Sequence, residues 1–183
     1  MVKKKTVLAI IGSARRNSAN LALVNKIGEL TKEHFSLTIF NSLSELPHFD
    51  PELSIHETPT RIIEFRELVL NSDGIIICTP EYVFSIPSGL KNAIEWCVAT
   101  TVFSNKPTAL ITASASGQKA HEELQLIMKT IETRFNDQTI LLIRGIKGKI
   151  DAEGNITDPT TMEALNELVL NFRELLDASP QQK

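Results

Sequence analysis

The segment from residue 12 to residue 21 holds a high density of hydrogen-bond donors. It reads Gly-Ser-Ala-Arg-Arg-Asn-Ser-Ala-Asn-Leu, follows the apolar run of residues 6–11, and leads into apolar residues at helical spacing from Leu21 onward. The pattern predicts a strand, a turn and a helix start. A helix N-terminus offers unpaired N–H groups and about half a positive charge, and the Ser, Asn and Arg side chains add donors. Together these groups predict an anion site, with phosphate as the favoured anion.

A second distinctive segment follows another apolar run. Residues 74–79 read Gly-Ile-Ile-Ile-Cys-Thr, and residues 80–87 continue with Pro-Glu-Tyr-Val-Phe-Ser-Ile-Pro. The two prolines stiffen this backbone, while Tyr82 and Phe84 provide aromatic surface. We expect the segment to form a wall against which a planar heteroaromatic ring fits.

Five strand-like patterns alternate with five helical patterns along the chain. Such alternation implies right-handed crossovers and a parallel sheet with helices on both faces, for which the order 2-1-3-4-5 is common. In that order the loops after strands 1 and 3 flank one crevice, with the turn at residues 114–118 beside it. We therefore predict a single domain over residues 1–183, with its core at about residues 6–176.

The element boundaries follow from the apolar periodicity, the prolines and the capping residues. The predicted strands are residues 6–11, 36–40, 74–79, 108–113 and 139–143, and the predicted helices are about 20–32, 59–71, 88–98, 119–135 and 159–176. Thr58 and Asp158 are predicted N-caps, each before a proline. The alternating strand at 36–40 is predicted at an edge, and residues 41–57 form a long loop.

Composition excludes several function classes. Nineteen basic and 22 acidic residues give a net charge of −3, which lacks the basic field of a nucleic-acid binder. Neither a P-loop nor a G-x-G-x-x-G fingerprint is present, and the four histidines show no metal-ligand spacing.

Cys78 and Cys97 lack CxxC spacing and are expected to be reduced core residues. The apolar run at 6–11 is too short for a signal peptide or a membrane span, so we expect a soluble cytoplasmic protein.

Two motifs resemble one known family. The first loop matches G-S-x-R-x-x-S-x-N at Gly12, Ser13, Arg15, Ser18 and Asn20. The second matches P-E-Y at residues 80–82, then a proline at 87 and L-K-N-A-I-[DE]-W at 90–96. This chain thus resembles the NADPH-dependent FMN reductases, which have a flavodoxin-like fold and include quinone, azo and chromate reductases. The resemblance extends from residue 6 to residue 176, including an L-P-x-F-D-P-like segment at 46–51.

The resemblance implies an FMN site at the two loops. The residues it assigns to the phosphate are Ser13, Arg15, Ser18, Asn20 and the backbone near Leu21, and those it assigns to the ring are Pro80, Glu81, Tyr82, Val83 and Phe84, with Ser114, Ser116 and Gly117 beside them. It implies hydride transfer from NADPH or NADH to FMN and then to a quinone, azo, metal-oxyanion or flavin acceptor, by a ping-pong mechanism. This mechanism needs no protein acid or base in the hydride step, so we assign no catalytic side chain, and the histidine spacing gives no reason to assign a metal. Relatives in this family imply a homodimer or homotetramer.

The chain departs from the family pattern at two places, and these leave alternatives open. Val83 replaces the usual Asn, and the loop at 113–118 is shorter than is common. A flavodoxin-type electron carrier, or a flavodoxin-like binding domain without flavin, would also fit the predicted fold. Ser18 and Asn20 are also ordinary helix-capping types. Arg16 is interpreted as a solvated charge, and Trp96 as a packing or subunit-interface residue.

Overall fold

The computed structural model describes residues 4–15 and 17–178, so Arg16 and its predicted solvation lie outside the described residues. The described residues form five strands, which are β1 (Lys5–Ile11), β2 (Phe35–Phe40), β3 (Gly74–Thr79), β4 (Thr108–Ser114) and β5 (Ile140–Arg144). They also form five α-helices, which are α1 (Ala19–Thr31), α2 (Thr60–Leu70), α3 (Ser88–Glu95), α4 (Gln118–Thr130) and α5 (Pro159–Asp177). Short 3-10 turns occupy Leu43–Glu45 and Ile146–Gly148.

The strands form one parallel sheet in the order β2-β1-β3-β4-β5, which confirms the predicted topology. Ile11 of β1 lies opposite Cys78 of β3. In turn, Thr79 of β3 lies opposite Thr112 of β4. The loops after these three strands therefore begin at neighbouring positions on one edge of the sheet, where α/β proteins of this type bind ligands.

Side-chain alternation along the strands builds a core on each face of the sheet. Leu8 and Ile10 of β1 belong to the cluster that packs under α2, α3 and α4. Val7 and Ala9 of the same strand belong to the cluster that packs under α1 and α5. Every residue of β3 is buried, as the continuous apolar run predicts. The result is the predicted three-layer α/β/α sandwich.

Two helices end earlier than their periodicity predicts. α4 ends at Thr130 rather than near Phe135, because the N–H and hydroxyl of Thr133 both donate to the Met128 carbonyl and Glu132 takes a φ of +61°. Phe135 still packs on the core, but from the loop that follows. Apolar spacing alone does not separate these two placements. α3 likewise ends at Glu95, three residues before its predicted end.

The start of α2 is also shifted. Thr58 is not its N-cap, because the Thr58 hydroxyl lies in the preceding turn, 3.1 Å from the Leu53 carbonyl and 3.2 Å from the Ser54 carbonyl. Pro59 takes the N-cap position without a side-chain hydrogen bond. The Asp158 cap on α5 is confirmed, since its carboxylate accepts a bond from the backbone N–H of Thr161.

The long loop after β2 is anchored to α3. Asn92 donates to the Pro47 carbonyl at 2.9 Å and accepts from the Phe49 N–H at 2.7 Å. The indole N–H of Trp96 also donates to Pro47, at 2.8 Å, and the Phe49 ring packs edge-on against the Trp96 ring. Trp96 is fully buried, so its interpretation as a packing residue is confirmed.

Both cysteines are free and buried, as predicted. Burial raises the pKa of the Cys97 thiol to about 12, against a smaller opposing effect of Arg66, and it also raises the pKa of Cys78. Neither thiol is therefore a nucleophile at neutral pH. Within the described residues, no helix is long and apolar enough to cross a membrane.

Candidate functional site

The exit of β1 passes so close to β3 that only glycine fits there. The Gly12 N–H donates to the Cys78 carbonyl at 2.8 Å. A Cβ atom on Gly12 would lie 2.2 Å from Oγ1 and 2.6 Å from Cβ of Thr79. The first loop therefore begins directly beside the second, and the glycine of the first motif has a packing role.

The N-terminus of α1 has the predicted cap. Ser18 is in an extended conformation, and its Oγ accepts a hydrogen bond from the Leu21 N–H at 3.1 Å. Upstream, the Oγ of Ser13 accepts a hydrogen bond from the Arg15 N–H at 3.2 Å. Arg15 is exposed, so its guanidinium is accessible to a ligand. The loop is thus shaped by short-range hydrogen bonds that its own sequence supplies.

Carboxylates occupy the N-termini of the helices that follow β4 and β5. Glu81 accepts hydrogen bonds at α4, and Asp158 caps α5 and pairs with Lys149 at 2.7 Å. The Lys149 and Thr161 hydrogen bonds lower the pKa of Asp158 to about 2. Each carboxylate offsets the positive end of its helix. The first turn of α1 contains no acidic residue, which leaves its N-terminus available to a bound anion.

Asn20 is turned toward the sheet. It is buried, its Nδ2 donates to the Ala113 carbonyl at 3.3 Å, and its Oδ1 accepts from the Cys78 thiol at 3.3 Å. The side chain therefore joins the start of α1 to β3 and β4. The structure gives Asn20 a supporting contact beneath the loop, and its direct contact with phosphate stays a prediction.

The second loop carries a tight turn at its tip. Tyr82 and Ser85 exchange backbone hydrogen bonds of 2.9 and 3.1 Å, and Val83 and Phe84 between them have φ values of +51° and +59°. Two central residues with positive φ define a type I′ turn, which favours Asn and Gly. A left-handed conformation costs a non-glycine residue about 1–2 kcal/mol. Val83 is 94% exposed and Phe84 is 76% exposed, so burial offsets little of this cost.

Tyr82 joins the two loops. Its hydroxyl lies 3.4 Å from Oγ of Ser13, although the two residues are 69 positions apart in the chain. The predicted phosphate loop and the predicted ring loop therefore meet at one place, as the strand order implies.

The third loop, residues 114–118 after β4, contacts the second loop through Glu81. Its carboxylate accepts hydrogen bonds from the N–H groups of Gly117 at 3.2 Å, Lys119 at 2.9 Å and Ala120 at 3.0 Å. Gly117 has a φ of +83°, and a Cβ there would lie 2.9 Å from Leu142. The Glu81 side chain is thus engaged at α4, which leaves only its backbone for the predicted ring contact. Ser114 ends β4 and Ser116 is exposed beside it.

Glu123 belongs to this arrangement, and sequence analysis missed it. From α4, its Oε2 accepts hydrogen bonds from the Ser85 hydroxyl at 2.7 Å and the Ile86 N–H at 2.9 Å. A glutamate within an amphipathic helix is usually a solvated residue, so the sequence carries no signal for this contact. His121 is buried on the same helix, 3.0 Å from the Thr112 hydroxyl, and burial lowers its pKa. Burial therefore favours the neutral imidazole.

Among the described residues, cavities also lie outside these loops. One of about 330 Å³ lies between β5 and the start of α5, and one of about 180 Å³ lies between α1 and the turn near Gly154. No group of three or more potential metal ligands occurs among the described residues. The donors at α1, the aromatic turn and the contact between them suit a phosphate joined to a flat ring, so the residues present fit FMN.

Comparisons with known proteins identify the family. The family model described as NADPH-dependent FMN reductase matches residues 6–143. An NADPH:quinone oxidoreductase of Arabidopsis thaliana is 31% identical over 175 residues, which cover 91% of this chain and 89% of that protein. A quinone reductase of Escherichia coli K12 is 25% identical, covering 96% and 97%.

A solved structure gives the same result. The flavoenzyme NAD(P)H:(acceptor) oxidoreductase of Paracoccus denitrificans has a TM-score of 0.83 and 25% identity, over 94% of this chain and 97% of that one. Residues 6–143, which the family model matches, contain the ends of β1, β3 and β4 and all three loops described above. The chain therefore belongs to the NADPH-dependent FMN reductase family, whose members are FMN-containing oxidoreductases that use NAD(P)H.

Proposed function

We propose that this protein binds FMN between residues 12–21 and 80–87 and passes hydride from NADPH or NADH, through FMN, to a quinone. The observation that carries the proposal is the 3.4 Å contact between Ser13 and Tyr82, which joins the proposed phosphate site at the start of α1 to an aromatic turn. The names of the two curated relatives, both quinone reductases, support the acceptor class.

The phosphate end of the proposed site relies on donors around the start of α1. Arg15 contributes a guanidinium that is always charged, while the hydroxyls of Ser13 and Ser18 and the first-turn N–H groups near Leu21 contribute neutral donors. Asn20 supports them from below by fixing this turn to β3 and β4. We assign the binding energy of the phosphate mainly to Arg15, because hydrogen bonds to charged groups exceed neutral ones.

The ring end of the proposed site is the wall formed by Pro80, Glu81, Tyr82, Val83 and Phe84. We place Ser114, Ser116 and Gly117, from the loop after β4, beside this wall and in contact with the ring. When bound, FMN supplies the hydride chemistry, and these residues hold the ring and limit access to it. No catalytic side chain is proposed, because His121 is buried at Thr112 and the carboxylate of Glu81 is engaged at α4.

The proposed kinetic mechanism is ping-pong. NAD(P)H and the acceptor bind one after the other at the same open side of the proposed site. The oxidised nicotinamide therefore leaves before the acceptor binds. Azo compounds, metal oxyanions and free flavins are further proposed acceptors. We also propose that the chain acts as a single domain in the cytoplasm. We propose that it forms a homodimer or homotetramer, and light scattering of the purified protein tests this oligomeric state.

The decisive experiment is the visible absorption spectrum of the purified protein, recorded before and after NADPH. We expect a yellow protein whose flavin band is bleached by NADPH and restored by a quinone. A protein that binds FMN without oxidising NADPH would be an electron carrier. A colourless protein that does not take up added FMN would be a binding domain without flavin, and either outcome would overturn the proposal.

A further inference from the structure

The side chains of Val83 and Phe84 give their own turn little support. Both residues have positive φ values and exposed side chains, and neither is the Asn or Gly that such a turn favours. A backbone in a sparsely populated region persists only when surrounding contacts determine it. Within the turn, the Tyr82 and Ser85 backbones exchange two hydrogen bonds, and the side-chain contacts that add to them come from residues outside the turn.

Two carboxylates on either side of the turn connect it to α4. Before the turn, Glu81 accepts N–H hydrogen bonds from Gly117, which directly precedes α4, and from Lys119 and Ala120 in its first turn. After it, a single oxygen of Glu123 accepts from both the Ser85 hydroxyl and the Ile86 N–H. One helix thus holds both ends of a turn that precedes a different helix, α3.

We propose that Glu123 is a positioning residue for the hydride-transfer site. It holds the turn at Val83 and Phe84 in register with α4, so that the ring wall keeps a fixed distance from the start of α1. This inference rests on the proposed FMN site, but the hydrogen bonds that carry it are independent of any ligand. Because hydride transfer is sensitive to small displacements, a turn released from α4 reduces the rate without displacing the phosphate.

The test compares Glu123→Ala with Glu123→Gln, which keeps an acceptor oxygen. Glu122→Ala is the matched control, because Glu122 is the exposed neighbour on the same helix and its removal changes the charge equally. In the protein without flavin, we expect hydrogen exchange at Ile86 and Ser85 to rise about tenfold in Glu123→Ala only. Glu123→Gln is expected to restore most of the protection.

In the FMN-loaded protein, kcat/KM for NADPH is expected to fall about tenfold in Glu123→Ala, with the FMN Kd within about threefold of the unchanged protein. The visible circular dichroism of bound FMN should change in the same variant and recover in Glu123→Gln. Ser85→Ala removes one of the two donors and is expected to show a smaller change in the same direction, which provides a test even if Glu123→Ala does not fold.

The possible failures are distinguishable. If the wild-type protein takes up no FMN, the proposed function is wrong, whatever the variants do. An active FMN-loaded protein in which Glu123→Ala and Ser85→Ala both match Glu122→Ala in exchange and kcat/KM overturns the positioning role alone. A Glu123→Gln variant as impaired as Glu123→Ala would show that charge, rather than the hydrogen bonds, matters, and would also overturn this role.

Discussion

The loop at residues 12–21 and the loop at residues 80–87 reach the same edge of the sheet but are held in different ways. In the first, Ser13 and Ser18 bond to backbone groups two and three residues away. In the second, Glu123 bonds to residues 37 and 38 positions away. The serine side chains that shape the first loop bond within it, and Asn20 fixes its end to β3 and β4, whereas the second loop also depends on a helix that follows the next strand.

This difference also separates what each loop offers a ligand. Short-range capping leaves the N–H groups of a helix start in a fixed array, which suits the phosphate that family members share. A turn with positive φ values and long-range supports presents exposed apolar side chains whose position depends on α4. Binding at the first loop and ring orientation at the second should therefore respond separately to mutation.

The largest expected effect is on the entry to the first loop. Gly12→Ala would place a Cβ 2.2 Å from Oγ1 of Thr79 and 2.6 Å from its Cβ. Because the Thr79 backbone belongs to a central strand, we expect the free energy of unfolding to fall by about 3 kcal/mol, at the upper end for overpacking. Urea denaturation measures this change. Gly148→Ala is the control, since nothing lies within 4 Å of its added Cβ. An equal effect of both variants would contradict the packing role of Gly12.

Arg15→Ala should weaken FMN binding without altering the fold. Arg15 is exposed, so its removal leaves no cavity, whereas a charged hydrogen bond to the phosphate is lost. We expect the FMN Kd to rise at least tenfold, equivalent to about 1.4 kcal/mol, as measured by fluorescence titration. Arg61→Ala, at an exposed ion pair on α2, removes the same charge and should leave the Kd unchanged. An unchanged Kd in Arg15→Ala would remove Arg15 from the site.

The sequence predicts most of the fold, because the fold depends on patterns that are local. The buried run at 74–79 and the alternating run at 36–40 each specify a strand type, and the predicted strand order is the common one for five strands that alternate with helices. The errors occur where tertiary contacts override periodicity. Phe135 has helical spacing but leaves α4, and Thr58 has a capping side chain that bonds to the turn before it.

The candidate site is predictable to a lesser degree. Motif spacing identifies the two loops, and the strand order explains why Ser13 meets Tyr82. It does not reveal that the carboxylate of Glu81 is occupied by α4, or that Glu123 supports the turn. Both contacts depend on how a helix is placed against a loop, and an isolated acidic residue in a sequence carries no information on that placement.

Val83→Asn should stabilise the protein. Asn tolerates positive φ far better than a β-branched residue does, and Val83 is almost fully exposed, so little apolar burial is lost. We expect a gain of about 1 kcal/mol in the free energy of unfolding, measured by urea denaturation. Val98→Asn is the matched control at an exposed valine whose φ is not positive, and it should give no gain. Equal effects at the two positions would show that the turn is not strained.

The smallest expected effect contrasts two helix starts, one with a carboxylate and one without. The pKa of Asp158 is lowered from 3.8 to about 2 by its hydrogen bonds with Lys149 and Thr161. Its contribution to stability is therefore complete above about pH 4 and is lost as the pH falls through about 2. Asp158→Asn keeps a capping side chain but removes the titration. Urea midpoints should thus differ between this variant and the wild-type protein by a constant amount from pH 5 to 7, and the difference should shrink between pH 4 and 2.

Ser18→Ala at α1 should cost about 1 kcal/mol at every pH from 2 to 7, because a serine hydroxyl does not titrate there. A pH-independent effect at Asp158 would show that the Lys149 contact contributes nothing to the native state.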